Sequence, residues 1–242
     1  MRKVKKFSCA EQNYSVYTVE PKPSMDEDIH EAAEYGHTGI IKNLVNLGMY
    51  VDVWDRRHRT PLHCAASFGR LETIESLIVE LNANINAQDK EKRTPLHDAA
   101  NQKQPGAVET LLFFNPKLLK DEDGDTPLHD AAGSDDIESI KLLLDYDPAL
   151  MKEENNCKET AFDISMENAL FTGSTKAIEV FIQRGADVSK YQTNEALKYF
   201  SSDVKEVIKN ADKIRADYLK NYPRKVSEQL PKIGTDKQLV KA

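Results

Sequence analysis

Apolar residues recur at helical spacing through most of this chain. Ile74, Leu77 and Ile78 fall on one face of such a pattern, and so do Ile140, Leu143 and Leu144. Further on, Leu197, Phe200, Val204, Val207, Ala211, Ile214 and Tyr218 keep the same spacing. Upstream of each amphipathic segment stands a shorter run rich in alanine, and downstream a polar connection. The pattern predicts pairs of short helices, each pair closed by a tight turn and separated from the next by a polar loop: an all-α chain. No stretch approaches the roughly 18 apolar residues that a membrane span requires, so no membrane insertion is expected.

The helix pairs are copies of one another. "TPLHCAA" begins at Thr60, "TPLHDAA" at Thr94 and again at Thr126, and a weaker "TAFDISM" at Thr160, with steps of 34, 32 and 34 residues. "EDIHEAA", Glu27 to Ala33, precedes Thr60 by 33 residues with its histidine and Ala-Ala in register, which makes five copies. A period of this length is the signature of stacked repeats. Threonine at the start of a helix offers its oxygen to an orphan amide, and proline fits the first helical position, where its missing N–H costs nothing. Ala-Ala lets neighbouring helices approach closely. One helix pair cannot bury its apolar face alone, so the copies must stack.

On these residues the chain resembles the ankyrin-repeat family. The features that carry the resemblance are Thr-Pro-Leu-His-x-Ala-Ala, a glycine soon after it (Gly36, Gly69), the "GAD" turn at Gly185 to Asp187, and an aspartate five residues before the next threonine (Asp55, Asp89, Asp121). The resemblance implies a solenoid of about five helix-pair repeats linked by β-hairpin-like loops, at about 25–58, 59–92, 93–124, 125–158 and 159–190. Residues 1–24 are then an N-terminal extension, 191–222 a degenerate repeat or helical C-terminal cap with its second helix running toward Asn221, and 223–242 a mobile tail. Two departures matter. The glycine two residues before each threonine is kept only at Gly124; His58, Lys92 and Lys158 replace it, which costs stability if those positions need positive φ. In the fifth copy four extra residues separate the helices, giving a longer first helix or an enlarged loop over 167–175.

Composition narrows the function. The net charge is -7, which argues against a nucleic-acid partner. The basic start, "MRKVKK", has no apolar run behind it, so a secretory signal is not expected and the expected location is cytoplasmic. Cys9, Cys64 and Cys157 are widely spaced, with no CxxC pair, and read as reduced thiols. A histidine repeated in register invites a metal or catalytic reading. In the family, however, that histidine bonds to the threonine and to backbone at the repeat junction, which implies a structural part for Thr60 with His63, Thr94 with His97 and Thr126 with His129. No P-loop, GxSxG, HExxH or GxGxxG string occurs. No enzyme, metal or cofactor is therefore expected.

The family's loops form fingers that share a concave face with the first helices. By position, the residues expected to meet a partner are Tyr35, Trp54, Arg56, Arg57, Arg59, Phe68, Lys90, Arg93, Gln102, Glu122, Asp123 and Asp125. The fingers run from basic to acidic: "WDRRHR" sums to +2, "DKEKR" to +1, "DEDGD" to -4 and "EENNCKE" to -2. The expected function is a protein-interaction module, adaptor or scaffold, monomeric when alone, whose N-terminal end meets an acidic or mixed-charge segment of another protein. Two alternatives stand beside it. One is an ankyrin effector delivered by an intracellular bacterium into a host cell, where "LVKA" would serve export and the host cytoplasm would be the location. The other is an enzyme with a cryptic site in the insertion or the C-terminal helices. Asn86 occupies a position at which ankyrin repeats resemble substrates of asparaginyl hydroxylation.

Overall fold

The computed structural model describes residues 25–193 and 195–221. The expected N-terminal extension, Asn194 and the expected tail lie outside the described residues. Twelve α-helices follow one another among them: α1 (Met25–Tyr35), α2 (Thr38–Asn46), α3 (Pro61–Ser67), α4 (Leu71–Val79), α5 (Pro95–Asn101), α6 (Pro105–Phe113), α7 (Pro127–Ser134), α8 (Ile137–Tyr146), α9 (Ala161–Thr172), α10 (Lys176–Arg184), α11 (Ser202–Lys209) and α12 (Ala211–Asn221). The described residues contain no strand; the closest approach to one is an isolated antiparallel bridge between Glu154 and Thr160. The chain is an all-α solenoid.

First helices stack on first helices, α1 on α3, α3 on α5, α5 on α7 and α7 on α9, while α4, α6, α8 and α10 form the second layer. Alanine makes the first layer tight: Ala65, Ala66, Ala99, Ala100, Ala131 and Ala132 are wholly buried. The second helices supply the bulk, with Ile74, Leu77, Leu111, Ile140 and Leu143 wholly buried between the layers, each worth about 1.5–3 kcal/mol of burial. Successive repeats also close each other's helix ends. Arg70 Nε donates to Glu34 O at 2.6 Å, Ser134 Oγ to Ala100 O at 3.0 Å, and Asn168 Nδ2 to Ala132 O and Gly133 O at 2.8 Å each. Carbonyls in the last turn of one first helix thus accept a side-chain donor from the next repeat.

The extra residues of the fifth copy lengthen a helix and do not enlarge a loop. Helix α9 runs 12 residues where α3 and α5 run 7, and it stops where Gly173 takes φ 70°. After α10 the repeat pattern breaks. Residues 195–199 form turns where a sixth repeat would place its first helix, and Tyr199 is exposed. The expected single second helix is divided at Asn210: Ser201 caps α11 by accepting from Val204 N, and α12 packs on α10. Leu197, Phe200, Val204, Ile208 and Ala211 close the core beneath these elements.

Candidate protein-binding face

Each finger is built on one local device. The Asp55 carboxylate accepts from Arg57 N at 2.8 Å and Arg59 N at 2.9 Å, and Asp89 and Asp121 each accept two amides in the same way. Asn155 does this in the fourth finger, accepting from Cys157 N and Glu159 N at 3.0 Å each. The sequence reading passed over it, although it stands five residues before Thr160. The turn then requires a left-handed residue, supplied by His58 (φ 61°), Lys92 (φ 60°), Gly124 (φ 79°) and Lys158 (φ 66°). All four positions do need positive φ, so the three non-glycine residues carry strain of about 1 kcal/mol each.

Fingers are joined tip to tip by backbone hydrogen bonds. Lys90 N donates to Arg57 O at 3.1 Å, Glu122 N to Glu91 O at 2.8 Å and Asn156 N to Asp123 O at 2.9 Å. Behind the row stand the repeated histidines. Thr60 N donates to His63 Nδ1 at 3.1 Å, which leaves the proton on Nε2, and Nε2 donates to Arg93 O at 3.1 Å. His97 and His129 repeat the arrangement, reaching Asp125 O and Glu159 O. His30 reaches Arg59 O at 2.8 Å. Both ring nitrogens of His63, His97 and His129 are committed, and burial lowers all three pKa values, that of His97 to about 3. These neutral rings fasten each helix start to the following finger. Among the described residues no cluster of three or more His, Cys, Asp or Glu could hold a metal ion.

In the fifth repeat Asp163 stands where the histidine would be. It accepts from Thr160 N at 2.9 Å and from Tyr191 OH at 2.7 Å, and it pairs with Lys190 at 2.5 Å. Burial works to raise its pKa, but those donors together hold the carboxyl below the usual range. Tyr191 also packs edge-on against Phe162, with ring centres 5.7 Å apart. The short 3-10 turn that carries it takes the place of a further finger. A cleft of about 330 Å³ remains beside it, lined by Met151, Phe162, Asp163, Gly185, Ala186 and Lys190 among others. Of the cysteines in the described residues, Cys64 is packed inside α3, where burial pushes its thiol up to about 12, and Cys157 is exposed on the fourth finger.

The residues expected to meet a partner divide into two sets. Tyr35, Trp54 and Phe68 are exposed at 60, 60 and 46%. Trp54 stacks on His58, ring centres 5.0 Å apart, and Tyr35 lies over His37. Arg56, Arg57, Lys90, Gln102, Glu122 and Asp123 are exposed as well. Arg59, Arg93 and Asp125 are not presented in this way. Arg59 pairs with Asp55 at 2.9 Å, with Glu34 3.9 Å away, and Asp125 accepts from Asn155 Nδ2 at 2.9 Å. Arg93 is ringed by Asp98 and Asp121, each at 3.4 Å, and Asp130 at 3.0 Å. The residue just before the helix-starting threonine is used inside the array: Arg59 reaches back toward Glu34, while Arg93 and Asp125 reach forward to Asp130 and Asn155. Asp98 and Asp130 are the aspartates of the two "TPLHDAA" copies, so the sequence held a signal for this cluster that was read only as repetition. Burial pushes the Asp130 carboxyl up to about 7 and that of Asp89 to about 6. Asn86 is half-buried, its Oδ1 accepting from Lys117 N at 2.7 Å.

The exposed set can make apolar and ionic contacts, and the geometry around it is that of a rigid surface. A family model described as ankyrin repeats (3 copies) matches residues 29–118 and 96–192, and no curated protein gives a significant match to the sequence. With about two thirds of its length matched by that model, and its threonine, histidine and aspartate positions forming one bonded framework, the chain belongs to the ankyrin-repeat family.

Proposed function

We propose that this protein is an adaptor or scaffold that binds another protein through its finger tips and first helices, with the strongest contacts at the N-terminal end. The family marks a protein-interaction module, and no helix among the described residues is long and apolar enough to cross a membrane. The observation that carries the location is the exposure of Trp54, Tyr35 and Phe68 in the same two repeats that expose Arg57 and Lys90. Aromatic and arginine side chains are the types that dominate interface energies. Three large rings are left 46 to 60% exposed at this end of the array. The partner's contacting segment is acidic or of mixed charge, because the first two fingers sum to +2 and +1. The working place of such a protein is a cytoplasm.

The test is quantitative capture of partner proteins by the wild-type chain and by an Arg57→Glu, Phe68→Ala double variant. Truncating one hot-spot residue costs about 2 kcal/mol, so partner recovery should fall more than about tenfold while the unfolding temperature stays within about 2 °C. Recovery equal to wild type, with the fold intact, would place the interface elsewhere.

A further inference from the structure

The basic end can be read more closely. The exposed tip residues of the first two fingers are Arg56, Arg57, His58, Lys90, Glu91 and Lys92, with formal charges of four positive against one negative. Two hydrogen bonds lock these tips together. Lys90 N donates to Arg57 O at 3.1 Å, and Lys90 Nζ donates to Arg56 O at 2.5 Å. The Lys90 ammonium is thereby held at the backbone of the Arg56–Arg57 pair and does not range through solvent. Among the described residues neither Arg57 nor Lys90 is ion-paired, in contrast with Arg59 and Arg93, whose guanidiniums are taken up by carboxylates of the array. Beside them the Trp54 ring, braced on His58, gives a flat apolar wall.

From this geometry we propose that the joined tips of the first two fingers bind a phosphorylated side chain on the partner's contacting segment, a reading that rests on the protein-binding role above. A phosphoserine carries about -1.5 to -2 charges and three strong acceptor oxygens. The Arg57 guanidinium, which takes phosphate in bidentate fashion, and the Lys90 ammonium on the adjoining tip together offer a donor for each of those acceptors. A single carboxylate leaves part of this donor set unanswered.

The neighbouring finger decides against an extended polyanion. Glu122 N bonds to Glu91 O at 2.8 Å, which sets the "DEDGD" finger, at -4, directly alongside the basic pair. A nucleic-acid strand or an anionic bilayer long or broad enough to cover the first two fingers meets that finger too and is repelled. One dianion on a peptide seats on two tips and ends there. Trp54 and Phe68 then receive apolar residues that flank the phosphate.

Trp54 is the chain's single tryptophan, so its fluorescence reports on this site. The probes are three degenerate nonapeptide pools with phosphoserine, serine or glutamate fixed at the centre, together with inorganic phosphate, single-stranded DNA and vesicles rich in anionic lipid. The phosphoserine pool should shift Trp54 emission at concentrations about tenfold or more below the other two pools. Inorganic phosphate should compete, and Arg57→Gln with Lys90→Gln should abolish the preference without changing thermal unfolding. Equal response to the three pools, no response to any, or a stronger response to DNA or vesicles overturns the phosphate site. If the phosphate preference fails but partner recovery still depends on Arg57 and Phe68, the protein-binding reading stands. If recovery is also insensitive, both fall.

Discussion

The first finger and the third share a skeleton and present opposite charges. In both, an aspartate five residues before the threonine accepts two amides and a left-handed residue closes the turn, while the tip bonds to a neighbouring finger. On the first, Arg56 and Arg57 face solvent; on the third, Glu122 and Asp123 do. The turn's hydrogen bonds involve the backbone and the initial aspartate, so they are blind to what the tip residues carry. Tips can vary at little cost to stability, and they are where recognition can be written. The position just before the threonine behaves differently: Arg59 and Arg93 share the residue type of Arg57 but are spent on intramolecular pairs.

Removing a guanidinium from each position breaks this comparison most sharply. Arg93→Met strands three partly buried carboxylates and should cost about 3 kcal/mol; Arg57→Ala, on a solvated tip, should change stability by no more than about 0.5 kcal/mol. Urea unfolding of both variants checks the pair, and equal losses would mean that the two arginines are used alike.

The left-handed positions come next. At Gly124 an added Cβ would lie 2.8 Å from Asn156 Oδ1 and 3.0 Å from its backbone nitrogen. Gly124→Ala should therefore cost about 2 kcal/mol, from strain at positive φ together with this contact. Lys158→Gly should do the reverse, gaining under about 1 kcal/mol because relief at φ 66° is partly offset by a looser unfolded chain. Thermal unfolding of the two variants should move in opposite directions.

A smaller effect separates histidines from carboxylates by pH. His97 is pushed by burial to about 3 in the folded chain, against about 6.5 when unfolded. Between those values the unfolded state holds more protons, so the stability that the neutral ring contributes is complete above about pH 6.5 and is lost as pH falls. His63 and His129 are lowered too and add to this limb. Asp130 has the opposite sign. Its folded value, raised by burial to about 7, lies above the unfolded value of about 3.9. The folded state holds the extra proton, and its contribution is lost as pH rises through about 7. Asp130→Asn removes this opposing slope between about pH 4 and 7, so the acid limb set by the histidines should become steeper, with little change above about pH 8. Equilibrium unfolding across pH 4 to 9 tests both, and an unchanged slope in the variant would exclude Asp130 as the source.

The helix starts were legible because their chemistry is local: threonine, proline and histidine within four residues define the cap wherever they occur. The five copies followed from the recurring heptad together with its spacing. Less legible was anything that depends on residues about 30 apart. The sequence marks Arg59 and Arg93 as basic, but their fate is set by Glu34 and Asp130, contributed by neighbouring repeats, and by Asp121 at the far end of Arg93's own copy. The division at Asn210 and the substitution of Tyr191 for a finger belong to the same class. In both, helical periodicity continued past the point where the repeat's capping residues had stopped. Asn155 was missed for a simpler reason, since its amide oxygen does what an aspartate does without the charge that drew attention to the others.

Partner recovery by two charge-altered chains tests the central claim most directly. One carries Arg57→Glu with Phe68→Ala on the basic end; the other carries Glu122→Lys with Asp123→Lys on the acidic finger. If recognition resides in the exposed tips of the N-terminal end, recovery falls more than about tenfold in the first and less than about threefold in the second, with both chains as stable as wild type. Equal recovery from both, or a loss confined to the second, contradicts the account.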